Sequence, residues 1–181
     1  MLCFLLCDFA VAFLTAKGSK AVIIIIFEIH LHQNPYTMSQ PIIVEKTFDV
    51  PPEKLWQAIT DDAQMKKWYF DLPGFRPEVG YSFSFEGGTE ENTYIHHCRI
   101  IEVVPGKKLQ HTWRYEGIEG DTLVTFELFP EGNQTRLRLT HSGHETFPQD
   151  NPDLARENFV AGWNDIIGRS LKEYLENSSS S

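Results

Sequence analysis

Seven histidines are the only side chains of this chain whose type and placement invite chemistry near neutral pH. His111 alternates with Leu109, Trp113 and Tyr115, and His141 alternates with Leu137 and Leu139. Alternate residues of a strand share one face, so both histidines belong on apolar faces. There they act as acid, base or ligand-orienting groups, or as hydrogen-bonded core residues. No carboxylate stands at a spacing that would make it their partner. His96-His97 and His141-x-x-His144 invite a metal, yet adjacent strand residues and residues three apart point to opposite faces. No Cys pair or local carboxylate completes such a set, so no metal is expected. Cys98 lies among apolar neighbours and reads as inert. Glu90-Glu91 and Glu116 with Glu119 read as solvated loop charges. No glycine-rich phosphate loop, nucleophile elbow or H-E-x-x-H helix occurs, and no cofactor is called for.

Those residues need a frame, and composition bounds it. A chain of 181 residues, 41% hydrophobic and 23% charged, suits one globular domain. The net charge of −9 argues against nucleic acid or an anionic membrane as partner, and Lys66-Lys67 beside Trp68 does not offset it. Cys98 alone in the folded region permits no internal disulfide, in keeping with a cytoplasmic location. Residues 1–37 hold two apolar runs broken by Lys17-Gly18-Ser19-Lys20. No basic residue precedes the first run, Asp8 interrupts it, and each run is shorter than the roughly 18 apolar residues of a spanning helix. They read as an extension outside the domain, with Met38 as the expected start.

From Met38 the pattern predicts a strand over 42–50, stopped by Pro51-Pro52, then a helix over 53–60 with Leu55, Trp56 and Ile59 inward. Asp61 or Asp62 caps a second short helix running through Tyr69. A loop over 72–80 leads to a strand over 81–85, ended by Gly87-Gly88. Strands over 94–104 and 107–116 flank Pro105-Gly106, and strands over 122–129 and 135–141 flank Glu131-Gly132-Asn133. A helix over 152–176 puts Phe159, Trp163, Ile166, Ile167, Leu171 and Tyr174 on one broad face. Gly162 and Gly168 interrupt it at up to about 1 kcal/mol each, which points to close packing or to room for a ligand. Residues 178–181 read as a frayed tail, leaving one domain over 38–177. The whole is α+β.

Trp68, Phe75-Arg76-Pro77, Gly80, the run Val103 to Leu109, Thr112-Trp113, Val124-Thr125-Phe126, Thr135-Arg136-Leu137, His141-Ser142-Gly143 and Gly162-Trp163 follow one another in a recognisable order. In that order residues 40–176 resemble the domains similar to the C-terminal domain of the activator of the heat-shock protein 90 ATPase, within the START-like (SRPBCC) superfamily. Cys98, where such sequences usually open a strand with Gly, and His144, in place of an apolar residue, depart from the pattern. The resemblance implies a helix-grip fold: a curved antiparallel sheet wrapped around a long C-terminal helix, with two short helices after the first strand. It also implies apolar or amphipathic small molecules held between sheet and helix.

Strand parity then nominates a pocket wall. Tyr81, Phe83 and Phe85 form one row, His111, Trp113 and Tyr115 another, and Phe126, Leu139 and His141 continue it. Trp163 and Ile167 face them from the helix, and Trp68 joins the candidates beside the two short helices, which the resemblance implies close one end. An ordinary filled core has the same composition. The expected function is therefore non-catalytic binding of a hydrophobic or aromatic small molecule, by a monomer or homodimer. The alternatives are a co-chaperone-like module acting on a chaperone ATPase and a cyclase- or aromatase-type enzyme using a cavity histidine.

Overall fold

The computed structural model describes residues 39–88 and 92–178; the expectations for residues 1–37, for Glu90-Glu91 and for most of the tail lie outside them. Six strands form one antiparallel sheet in the order β1-β6-β5-β4-β3-β2. They are β1 (Ile42–Phe48), β2 (Ser82–Gly88), β3 (Thr93–Val104), β4 (Lys108–Tyr115), β5 (Ile118–Glu131) and β6 (Gln134–Ser142). Strand and hairpin signals place these elements well. The turn from β3 to β4 is set by Gly106, whose φ of 73° suits a residue without Cβ.

Between β1 and β2 lie the helices α1 (Pro52–Ala58) and α2 (Asp62–Met65). Pro52 occupies the first turn of α1, where its missing N–H costs nothing. Asp61 caps α2 by accepting from the Gln64 amide at 3.0 Å. The helix is shorter than the pattern predicts, although turn-type hydrogen bonds carry the backbone on to Tyr69. Two register shifts, between Ile100 and Glu102 and between Trp113 and Tyr115, break the regular pairing of β3 with β4 and of β4 with β5. Such irregularities bend the strands they occupy.

The C-terminal helix differs from the single element expected. Asn151 and Pro152 support only a short turn, Pro152–Leu154, and the extended ψ of 139° at Ala155 interrupts the chain. Helix α3 (Arg156–Asp165) then passes through a π-helical turn, Ile166–Ser170, into α4 (Leu171–Asn177). The apolar face is as predicted: Phe159, Trp163, Ile167 and Leu171 are buried. The two glycines are not close-packing points, however. A Cβ added at Gly162 or Gly168 meets nothing within 4 Å. Element boundaries also move, most clearly in β5 and β2. β5 begins at Ile118, before the predicted start, and Gly87-Gly88 lie within β2 instead of ending it. No helix among the described residues is long and apolar enough to cross a membrane.

Candidate functional site on the concave face

Cross-strand register stacks the inner face in rows. Ile100, His111, Val124, His141 and Ile42 are successive partners across five strands. The next row is Leu109, Phe126, Leu139 and Val44. On the other side Phe83 pairs with Cys98, and Trp113 with Thr122. Phe85, His96 and Tyr115 form the outermost row. The two histidines singled out from sequence thus share a row, with Val124 between them.

His141 is committed on both ring nitrogens. The indole N–H of Trp163 donates to its Nδ1 at 3.1 Å, so that nitrogen is the acceptor. Its Nε2–H therefore donates to Thr122 Oγ1 at 2.8 Å, and the Thr122 hydroxyl donates to the Trp113 carbonyl at 2.8 Å. Burial, with His144 and His111 nearby, pushes its pKa down to about 3. This is a neutral core histidine that ties the C-terminal helix to the sheet. It has no nitrogen left for a substrate.

His111 is different. Its Nδ1 lies 2.9 Å from the Thr112 carbonyl, which only accepts, so Nδ1 carries the proton and Nε2 is the free acceptor. Burial lowers its pKa to about 4. His111 lines an interior cavity of about 10 Å³, together with Trp68, Phe83, Phe126, Tyr69 and Phe75. That is about the room one water needs. The cavity lies between the sheet and the segment running from the end of α1 through α2 to Phe75, not beneath Trp163.

This segment is a cover laid over one end of the sheet. Trp68 Nε1–H donates to the Ala58 carbonyl at 2.9 Å, Phe70 stacks on Phe85 at 4.1 Å, and Phe75 meets Phe83 edge-on at 5.2 Å. Gly87 makes room for it: a Cβ there would stand 3.1 Å from both the Phe70 and His96 rings. Tyr69 stands out. Its hydroxyl is buried and makes no hydrogen bond, and burial raises its pKa well above the ordinary value, with Cys98 and Tyr115 adding to the effect. His96 Nδ1 is also buried without a well-formed partner, although the Phe85 and Tyr94 backbones lie near the ring. The Trp113 indole N–H is placed similarly: it lies close enough to the Tyr115 hydroxyl to favour the phenolate, but not in good hydrogen-bond geometry.

Of the residues nominated from sequence, Trp68, Phe83, His111 and Phe126 line the cavity. Phe85, Trp113 and Tyr115 surround the His96 ring at 4.4 to 4.7 Å between centroids. Leu139, His141, Trp163 and Ile167 fill the core under the C-terminal helix, where Trp163 packs on Trp113 at 5.3 Å. Tyr81 is the outlier: its hydroxyl donates to the Gly74 carbonyl at 2.9 Å, and Arg76 lies over its ring at 5.0 Å. It anchors the cover from outside. Cys98 sits in the middle of β3, and burial raises its thiol pKa strongly. His144 is buried against Phe159, at 4.7 Å between centroids, away from the cavity. His97 points outward and lies 3.8 Å from Glu116. Tyr69, Phe75 and His96 were missed as site residues. The run Trp68-Tyr69-Phe70 directly after a capped four-residue helix is the signal that could have found the first, since its rings must turn inward.

Comparison with known proteins completes the picture. The family model described as "Activator of Hsp90 ATPase homolog 1-like protein" matches residues 49–176. Among solved structures, protein MLL2253 from Mesorhizobium loti is 27% identical with a TM-score of 0.62, over 76% of this chain and 98% of its own. The Aha1 dimer from Colwellia psychrerythraea is 25% identical with a TM-score of 0.57, over 76% of this chain and 96% of its own. DynU16, from the dynemicin biosynthetic locus, shares the fold at 23% identity and a TM-score of 0.63, over 76% of this chain and 48% of its own. No curated protein matches. With its six-stranded antiparallel sheet and C-terminal helix arranged as in these structures, the chain belongs to the Activator of Hsp90 ATPase homolog 1-like family and has its helix-grip, START-like fold.

Proposed function

We propose that this protein binds an apolar or aromatic small molecule on the concave face of the sheet, beneath the cover formed by α2 and residues 66–80, without turning it over. One observation carries the reading: the interior cavity is walled by aromatic rings from both sheet and cover, and one of the residues lining it, Tyr69, has a buried hydroxyl without a hydrogen-bond partner. Small-molecule sites have this make-up, mostly apolar with a few polar groups. The cavity itself is far smaller than such a ligand, so binding requires the cover to move. Its polar tie to the C-terminal helix, Tyr174 O–H to Gln64 at 2.9 Å, is only partly buried, and the Phe70–Phe85 and Phe75–Phe83 ring contacts are those a ligand would have to part.

Catalysis is not part of the reading. His141 has no free nitrogen, and His111, lowered to about 4, is a weak base without a carboxylate to support it. The test is native mass spectrometry of the protein as expressed, followed by thermal melts with a panel of aromatic compounds. A co-purifying molecule or a ligand-dependent rise in melting temperature is expected. An unliganded mass together with no rise for any compound overturns the proposal. Stimulation of a purified chaperone ATPase, which the co-chaperone alternative requires, is not expected.

A further inference from the structure

Resting on that reading, we infer that the site selects an uncharged ligand carrying a hydroxyl group, which Tyr69 and His111 recognise together. Both side chains line the same cavity. The Tyr69 hydroxyl is buried and has no hydrogen-bond partner. The Thr112 carbonyl fixes the His111 proton on Nδ1 and leaves Nε2 as an acceptor. One donor and one acceptor, carried by two residues that line one cavity, match a group that both accepts and donates. A hydroxyl does both, whereas a ketone uses only the tyrosine and a hydrocarbon uses neither.

Charge is excluded by what the interior lacks. The buried polar residues among those described are His96, His111, Thr122, Thr125, Thr135, His141 and His144. No Lys, Arg, Asp or Glu is among them. His96 and His111 are held neutral by burial, so no counter-ion awaits a carboxylate or an ammonium. An ion brought under the cover would lose its hydration and gain no partner. The same wall, by contrast, offers a neutral hydroxyl the hydrogen bonds it gives up in water.

Three probes on one ring system separate the possibilities: naphthalene, naphthol and naphthoate, titrated near neutral pH into the wild type and into Tyr69→Phe. In the wild type naphthol binds best, naphthalene more weakly, and naphthoate at least about 100-fold more weakly than naphthol. Tyr69→Phe weakens naphthol by about 3- to 10-fold, the worth of one neutral hydrogen bond, and leaves naphthalene unchanged. Naphthoate binding as tightly as naphthol overturns the inference. So does a naphthol affinity that is no better than that of naphthalene, or that Tyr69→Phe does not change. In those cases the broader reading of an aromatic-ligand site survives. Failure of all three probes to bind overturns both.

Discussion

Tyr69→Phe should stabilise the protein while weakening its proposed ligand. The ring itself is well packed, with Phe70 at 4.5 Å, Trp68 at 5.2 Å and Phe85 at 6.2 Å between centroids, and phenylalanine keeps all of these contacts. What it removes is a buried hydroxyl that forms no hydrogen bond in the folded protein. Such a group carries a desolvation penalty of about 1–3 kcal/mol. Removing it should raise the unfolding free energy by about 1 kcal/mol or more, and the melting temperature by roughly 3–4 °C for each kcal/mol in a domain of this size. Urea titration followed by tryptophan fluorescence reads this directly, with the midpoint rising and the slope unchanged. A loss of about 1 kcal/mol would refute the reasoning, because that is the signature of a hydroxyl already satisfied in the fold. A side chain kept at a cost to stability is most simply kept for what it binds.

Acid should unfold the protein early. His96, His111 and His141 have folded-state values of about 4, 4 and 3 against an ordinary 6.5, so the unfolded chain takes up protons first. Stability is therefore level above about pH 7 and falls below about pH 6.5, losing about 2 kcal/mol per histidine, about 6 in all, by about pH 5. Urea midpoints that stay constant between about pH 7 and pH 5 would contradict this. His141→Leu strands the Trp163 indole N–H and should cost roughly 1–3 kcal/mol at neutral pH while making the acid transition shallower by one proton. Unchanged stability would show that the Trp163–His141–Thr122 chain holds nothing together. Gly162→Ala should stabilise by about 0.5–1 kcal/mol, since the new methyl meets open space on a helix; destabilisation would restore the close-packing idea.

The two hairpins were within reach of the sequence because alternation and turn residues act locally. The pairs flanking Pro105-Gly106 and Glu131-Gly132-Asn133 could close only as hairpins, and strand parity then put His111, Phe126, Leu139 and His141 on the inner face. The partners of those side chains were out of reach. Trp163 lies 22 residues from His141 and meets it only because the C-terminal helix crosses that row. Periodicity also says nothing of backbone spacing, so Gly162 reads as a packing glycine when it faces open space. The part of the cover beyond Trp68 was the larger omission. Its 72–80 stretch reads as a loop, yet Leu72 and Phe75 are buried, and Phe75 meets the Phe83 ring on β2, which no local pattern connects to it. The cavity consequently lies under Tyr69 and Phe75, where the nomination of Trp163 and Ile167 did not point.

The most direct test of a binding site beneath the cover is amide chemical-shift mapping by NMR during titration with naphthol. Saturable shifts at Tyr69, Phe75, Phe83 and His111, with Trp163 and Leu171 unmoved, are predicted. Shifts centred on Trp163 and Ile167, or none at all, would contradict the account.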